Sequence, residues 1–481
     1  MSLGIVWFRQ DLRVADNPAL NTAVAACDCV VCLFIDDPQD QTLSRLGSAS
    51  RVWLHHSLTS LAQSLAKRGA DLVVAVGGCE QVLAQASAYY GATHLFWNRC
   101  YDPVSIKRDT RIKQSLSELQ PESFNALLNA EPWEVLKGDE TPYRVFTPFW
   151  RMRSKTLPGP KPLNAPRAIT GVKHPRKSAK TASQFESKTI AELRLLPKPD
   201  WHINMMSHWQ VGEKAAMASL RRFLKATVHD YSDARNIPSQ TGTSRMSAHL
   251  HFGEIGPRQI MHVLNKGASD LSDLTDGEES FAKEVIWREF AYSLLFHFPH
   301  TVNKPLDKRF EHFPWEKRYQ KNLTAWQQGK TGVPIVDAGM RELYATGWMH
   351  NRVRMIVASY LIKNLLIPWQ EGEKWFRDTL VDADLASNAM GWQWAAGSGA
   401  DAAPYFRIFN PVLQGEKFDK RGDYVRQWVP EIASVPDKFI HKPWEWEPDQ
   451  RRLLNYPSPL VDLKASRQRA LAAFDTIKSP A

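Results

Sequence analysis

Apolar residues follow two rhythms along this chain, and the change from one to the other divides it. Leu3 to Phe8, Cys29 to Ile35, Asp71 to Val76 and Thr93 to Trp97 are short β-branched or aromatic runs, the composition of buried strands. Between them apolar residues recur at helical spacing. In Arg51 to Arg68, Leu54, Leu58, Leu61 and Leu65 follow at steps of four, three and four. That spacing predicts a leucine stripe on one helix face, suited to covering a parallel sheet. From Met1 to about Ala130 the pattern predicts a doubly wound, Rossmann-like α/β domain with its ligand crevice at the carboxyl ends of the strands.

Beyond Trp201 the strand rhythm nearly vanishes. Helical stretches recur over Val211 to Ala226, Gly256 to Lys266, Glu279 to Phe298, Ile335 to Thr346, His350 to Leu366 and Glu371 to Leu380, with one more near the end, Val461 to Ile477. No repeat of solenoid period accompanies them. Leu157 to Phe185 is instead rich in Pro, Lys, Ala and Ser and reads as a long connector. Its lysines are taken as those of a solvated linker rather than as nucleic-acid contacts. The predicted organisation is an α/β domain over residues 1–130, a linker over 131–200 and an all-α domain over 201–481.

Composition narrows the class. At 481 residues the chain is too long for one ordinary core, and 43% apolar with 23% charged residues excludes global disorder. A net charge of +10 favours a polyanionic partner such as nucleic acid. The 18 tryptophans ask for a reason beyond packing. Cys27, Cys29, Cys32, Cys79 and Cys100 are odd in number and confined to the first hundred residues, which is no disulfide framework. Cys29 and Cys32 have the spacing of half a metal knuckle, but no second pair accompanies them, so they are read as buried thiols and no metal is expected. The amino terminus enters a strand at once, without signal-peptide layout, and no apolar run reaches membrane-spanning length. A cytoplasmic protein is expected.

Candidate chemistry concentrates in four places. The segment Asp382 to Pro411 holds Asp382, Asp384, Asn388, Trp392, Trp394 and Gly397-Ser398-Gly399, either a site or a tightly packed aromatic core with a turn. On one predicted helix Glu284, Trp287 and Arg288 stand at i, i+3 and i+4, sharing a face; the plain alternative is a surface pair of Glu284 with Arg288. On another, Asn351, Arg354, Met355 and Ala358 share a face, and Arg354 is a partner for Asp382 or Asp384. Gly242-Thr243-Ser244-Arg245-Met246-Ser247 precedes a predicted helix and reads as phosphate ligands or as simple caps. Where a Gly-rich phosphate loop would follow strand one, Arg9-Gln10-Asp11-Leu12-Arg13 stands instead. This disfavours a conventional NAD domain and reads as an ion-paired loop or a small polar pocket. Trp392, Trp369 and Trp315 come from three separate segments. Only adjacency would make them an electron-hopping chain rather than core.

Taken together these residues resemble the photolyase and cryptochrome flavoprotein family. The likeness runs from IVWFRQDLR at residues 5–13 through TSRMS at 243–247, IWREF at 286–290, GWMHNRVRM at 347–355 and residues 382–411, to YPS at 456–458. It implies an α/β domain carrying an antenna chromophore and a helical domain holding FAD. By family position Tyr231, Thr243, Ser244, Arg245, Met246, Ser247, Arg288, Arg354, Asp382, Asp384 and Asn388 are expected to contact FAD. Asn388 would face the redox-active nitrogen, and Arg354 would pair with Asp382. Asn388 is the photolyase choice; plant cryptochromes typically place an aspartate there and animal ones a cysteine. Enzymes acting on six-four photoproducts resemble one another in using two active-site histidines, whereas this chain has only His350 in that segment. Glu284, Trp287, Asn351, Met355 and Trp394 match the pocket for a cyclobutane pyrimidine dimer instead.

The resemblance therefore implies light-dependent repair of UV-damaged DNA, most like a bacterial cyclobutane-dimer photolyase, with electron transfer from excited reduced FAD to a flipped-out lesion. Trp392, Trp369 and Trp315 would reduce resting flavin. Arg235, Arg352, Arg407 and Lys417 are candidate phosphate contacts. The antenna, near Cys100, Tyr101 and Asp102, is read as methenyltetrahydrofolate, with deazaflavin as the alternative. A monomer without an obligate protein partner, associated with the nucleoid when on DNA, is expected. Two departures stand out: Ala389 and Met390 replace the Asn-Gly or Gly-Gly of many relatives, and FPW at 313–315 resembles plant cryptochromes and the bacterial branch near them. A blue-light receptor is the alternative function, and a non-enzymatic RNA or single-strand binder is a third.

Overall fold

Five short strands, β1 (Leu3–Phe8), β2 (Cys29–Asp36), β3 (Leu72–Val76), β4 (His94–Asn98) and β5 (Pro121–Phe124), form one parallel sheet in the order β3-β2-β1-β4-β5. The structure, a computed structural model, describes residues 2–38, 46–172, 185–266, 270–401 and 406–478. Residues 173–184 of the predicted connector and 402–405 of the dense segment lie outside the described residues. Side chains alternate between two buried faces. Val6, Phe8, Cys32 and Phe34 join one core, and Ile5, Trp7, Val31 and Leu33 the other, as a sheet covered on both sides requires. β5 escaped the sequence reading because it opens on proline and continues through Glu122 and Ser123. Neither is a strand signal.

Four helices cover the sheet: α1 (Pro18–Ala26), α2 (Ser48–Ala66), α3 (Cys79–Tyr90) and α4 (Pro103–Ser115). The predicted leucine stripe lies on α2, buried in the same core as Val6 and Phe34. That core continues into the second half of the chain through Met205, Phe252 and Val381. Trp53 of α2 donates to Glu254 at 3.0 Å. The Arg9 to Arg13 loop reinforces this junction as hydrogen-bonded, ion-paired structure. Buried Arg13 donates to the carbonyls of Asp16, Ala126 and Gly253 at 2.7, 2.9 and 3.0 Å, and Arg9 forks onto Asp109 at 2.9 and 2.8 Å. Cys32, Cys79 and Cys100 are buried, Cys27 and Cys29 half-buried, and all five are free thiols. Among the described residues no cluster could hold a metal ion, and no helix is long and apolar enough to cross a membrane.

After α5 (Phe146–Arg153) the connector is less solvated than its composition predicts. Leu157 and Ile169 are buried, and Gly171 pairs beside Val30 of β2. A Cβ on Gly171 would lie 2.5 Å from the Ala70 backbone, so the connector hugs the α/β domain.

The helical half contains α6 (Glu213–Ala226), α7 (Pro257–Leu264), α8 (Asp276–His297), α9 (Gln320–Gln327), α10 (Pro334–Thr346), α11 (Asn351–Ser359), α12 (Trp369–Thr379), α13 (Leu385–Ala396), α14 (Pro411–Phe418) and α15 (Leu463–Asp475). The helix predicted over His350 to Leu366 changes hydrogen-bond register, passing from α11 into a π-turn at Tyr360–Asn364. Buried Lys363 in that turn reaches the last carbonyl of α13 at 3.0 Å. Helices α8, α11 and α12 all lie against α13, and the site is built around that helix.

Candidate active site

α13 begins at Asp384, whose carboxylate accepts the Ser387 N–H at 2.8 Å as an N-cap. The same carboxylate accepts the Tyr292 hydroxyl of α8 and lies 3.9 Å from His251. Burial alone would raise this acid, but His251, Arg288 and Tyr292 hold it well below the usual carboxylate range. Asp384 is therefore a fixed anion. Two residues earlier Asp382 pairs with Arg354 of α11, whose Nη2 donates to both its oxygens at 3.1 and 2.9 Å. Of the two carboxylates the sequence offered Arg354, the fold gives it Asp382. Its Nε is spent on the Met349 carbonyl at 2.7 Å.

These charges line a cavity of about 800 Å³, within the range of a cofactor site. Every predicted cofactor contact lines it: Tyr231, Thr243, Ser244, Arg245, Met246, Ser247, Arg288, Arg354, Asp382, Asp384 and Asn388. So do Glu284, Trp287, Asn351, Met355 and Trp394. Arg245 adopts a left-handed backbone, φ 51°, unusual for a non-glycine residue, and its guanidinium lies over Trp348 at 4.5 Å and Trp209 at 5.6 Å. Arg288 donates Nη1 to the Leu127 carbonyl at 2.7 Å and leaves its buried Nε without a protein partner. Asn388 donates its amide nitrogen to the backbone and side chain of Glu373 at 3.2 and 3.1 Å, which leaves its Oδ1 for the cavity.

Glu373 was invisible to sequence reading. Its only local signal is Arg377 at i+4, with which it pairs at 3.1 Å, and nothing in that spacing points to Asn388. Phe146 was missed for the same reason. It comes from α5 and stacks on Trp287 at 3.7 Å and 9°.

The wall around Glu284 differs in polarity. Glu284 pairs with Arg235 at 2.6 Å and keeps 30% of its side-chain surface open. Burial pushes this carboxyl above its ordinary range while Arg235 opposes the shift. Trp287, Met355 and Trp394 are half-buried, whereas Asn351 is exposed at the start of α11. His350 is not part of the cavity wall; its Nδ1 accepts the Arg352 N–H at 3.2 Å. Burial, with Arg352, Arg354, Arg245 and Arg235 around it, lowers its pKa to about 4. Ala389 is buried, and Met390 lines the cavity while packing toward Leu128 and Ala291.

The predicted DNA contacts separate. Arg235 and Arg352 line the cavity. Arg352 and Lys417 border an adjoining hollow, both over the Phe418 ring at 4.4 and 5.2 Å. Arg407 lines neither hollow but lies over Phe409 at 5.1 Å, near enough to Arg352 for its charge to add to burial and Arg235 in depressing that guanidinium.

Of the three tryptophans only Trp392 lines the cavity. Its indole lies flush on α12, where a Cβ on Gly372 would meet it at 2.1 Å. Buried Trp369 is at i−3 from Gly372, hence on the same side of that helix. Trp315 is half-buried, and its neighbour Glu316 bonds to the Leu366 carbonyl at 2.9 Å, close in sequence to Trp369. Trp392 also touches Trp326 at 6.2 Å. Cys100, Tyr101 and Asp102 are buried; Tyr101 donates to Glu131 at 2.7 Å and Asp102 caps α4.

Comparison with known proteins follows the same outline. Residues 4–167 match the family described as DNA photolyase, and residues 281–476 match the FAD binding domain of DNA photolyase. The chain is 46% identical over 483 residues to a deoxyribodipyrimidine photo-lyase of Agrobacterium fabrum, covering 98% of each chain. It is 38% identical to Cryptochrome-1 of Arabidopsis thaliana, over 97% of this chain but 69% of that one. Its fold is similar to a bacterial class III photolyase from Agrobacterium tumefaciens, with a TM-score of 0.92, 44% identity, and coverage of 99% of this chain and 98% of that one.

Proposed function

The chain belongs to the DNA photolyase family, and on that premise we propose how its cavity serves light-dependent repair of cyclobutane pyrimidine dimers in DNA. The chain is an enzyme of the deoxyribodipyrimidine photo-lyase class, and its cofactor is FAD. The observation that carries the assignment of the site is one cavity with two chemically different walls, bridged by α13.

The cofactor wall fits FAD. Thr243 to Ser247 offer hydroxyls and backbone N–H groups around a left-handed turn, suited to phosphate oxygens. Arg288 has an unpartnered buried N–H, Arg354 is neutralised by Asp382, and Asn388 presents an oriented amide oxygen. Bound, reduced and excited by light, FAD supplies the single electron that opens the cyclobutane ring. The protein residues position the reactants and set their electrostatics. Asn388 adds no charge beside the cofactor. Asp384, kept ionised, and Arg354 with Asp382 hold its polar edge. Trp287, braced by Phe146, and Trp394 give the flipped lesion flat apolar walls; Met355 fills between them. Glu284 and Asn351 hydrogen-bond its carbonyl and imide edges. Glu284 is held by Arg235 until substrate arrives.

Arg352 and Lys417, propped by Phe418, take phosphates at the rim, with Arg407 beside Arg352 and Arg235 joining once Glu284 turns to the lesion. Trp392, Trp369 and Trp315 carry electrons inward to restore the reduced cofactor. Asn388 also weighs against the receptor alternative. For the antenna we favour methenyltetrahydrofolate over deazaflavin. The enzyme works as a monomer in the cytoplasm, at the nucleoid when on DNA. The test is to illuminate reduced, flavin-loaded protein on DNA carrying cyclobutane dimers. Loss of dimers is expected, and their persistence would overturn the reading.

A further inference from the structure

The three tryptophans leave the cavity through α12, but a second set of aromatic rings starts behind the cavity wall at Tyr292 and runs into the α/β domain. Tyr292 of α8 donates its hydroxyl to Asp384, and the cavity-lining Arg288 lies over its ring at 4.9 Å. Tyr101, just past the end of β4, is 6.3 Å from Tyr292 between ring centroids and donates its hydroxyl to Glu131 at 2.7 Å. Trp133 is 6.0 Å beyond Tyr101 and 44% exposed. Three neighbouring rings thus run to solvent from directly behind the cavity wall, where Tyr292 touches the lining residues Asp384 and Arg288.

We propose that Trp133, Tyr101 and Tyr292 form a second, proton-coupled electron route from the protein surface to the cofactor cavity. The hydroxyl bonds carry the argument. A tyrosine can give up an electron at neutral pH only if its phenolic proton has somewhere to go, and both phenols here already point that proton at a carboxylate. Packing alone would not ask for this, since phenylalanine would fill either position without burying a polar group. Burial beside these acids pushes both phenols well above the ordinary tyrosine range, so each holds its proton at rest. An oxidised phenol is a far stronger acid than either carboxyl, so even Asp384 can accept from it.

The steps balance as follows. One electron leaves Tyr292 for the light-excited, oxidised flavin, and its proton moves to Asp384. Tyr101 then gives one electron to Tyr292, which recovers its proton from Asp384, while the Tyr101 proton passes to Glu131. Trp133 gives one electron to Tyr101, which recovers its proton from Glu131. A soluble thiol finally returns one electron to Trp133 and releases a proton to water.

The inference rests on the FAD reading, which the flavin absorbance of the purified protein reports on separately. The decisive experiment is electron paramagnetic resonance of the flavin-loaded Trp392→Phe protein, illuminated without DNA and without thiol. A transient tyrosyl signal is expected, giving way to a tryptophanyl one as the hole reaches Trp133, and both should be lost when Tyr292→Phe is added. With Tyr101→Phe instead, the tyrosyl signal should persist but recombine faster, because the hole cannot move outward. Absence of any tyrosyl signal, or one that survives Tyr292→Phe, would overturn the proposal. Should Trp392→Phe not retain flavin, Trp369→Phe breaks the other route one step farther out and gives the same readout.

Discussion

Two regions of this molecule bury arginines among acids, and only one of them is the candidate site. At the carboxyl ends of the sheet strands Arg13 spends both terminal nitrogens and Nε on carbonyls, and Arg9 spends both terminal nitrogens on Asp109 and the Asn98 carbonyl, leaving only its Nε without a protein partner. In the helical cavity Arg288 has one protein acceptor and a buried N–H without one. Both regions look alike as sequence: an arginine, an aspartate and an amide within a few residues of an aromatic. What separates them is how much valence is spare: Arg13 has none and Arg9 only its Nε, whereas Arg288 has a single protein acceptor. A buried polar cluster that satisfies itself holds the chain together, whereas one that stops short is shaped for a ligand.

That distinction can be broken by substitution. The largest effect is expected for Arg13→Met, which strands the carbonyls of Asp16, Ala126 and Gly253. It should cost about 4 kcal/mol of stability in chemical denaturation, the scale for breaking a buried charge network. A change near zero would mean that the latch is not structural. Arg288→Met should do the reverse. Stability of the flavin-free protein should move by less than about 1 kcal/mol, while FAD binding weakens about 30-fold, the worth of one charge-assisted contact. Flavin titration monitors the second effect.

A third effect, on stability against pH, reads the burial of His350 among positive charges. Its folded pKa of about 4 lies below the ordinary value of about 6.5. Between those values the unfolded chain binds a proton that the folded chain refuses, so stability should fall as pH drops from about 6.5 to about 4, by up to about 3 kcal/mol. Of the neighbours, Arg245, Arg352, Arg354 and Arg235 all push this way, and Glu342, 3.3 Å from the His350 N–H, does not compensate. His350→Asn keeps a capping side chain and should flatten the slope, checked by denaturation at pH 7 and pH 5.

Much of this was readable from the chain. The first four strands announce themselves by β-branched runs because a sheet buried on both faces needs apolar residues at every position, and each begins within a residue of expectation. The pairing of Arg354 with Asp382 was readable because helical spacing put Arg354 on a mixed face that needs a carboxylate, while Asn388 stood out only through the density of its segment and the resemblance. What was not readable depends on partners distant in sequence. Glu373 orients Asn388 from another helix, Phe146 braces Trp287 from α5, and Arg235 meets Glu284 rather than open solvent. The connector misled because its Pro and Lys content suggests hydration, while Ile169 and Gly171 dock it by shape. The Cys100 to Asp102 loop carries structural bonds that its spacing does not announce: Tyr101 donates to Glu131 and Asp102 caps α4.

α13 also acts as a ruler. Asn388, Trp392 and Trp394 are mounted on one continuous helix, so their axial separations are fixed by backbone rise at about 6 and about 9 Å from the first residue. Loop motion cannot alter those intervals, and neither can closure around DNA. Diversification of such a protein is then confined to exchanging side chains at fixed stations, because inserting a single residue into α13 would rotate every later station by about 100° and turn Trp392 and Trp394 away from the partners they now face.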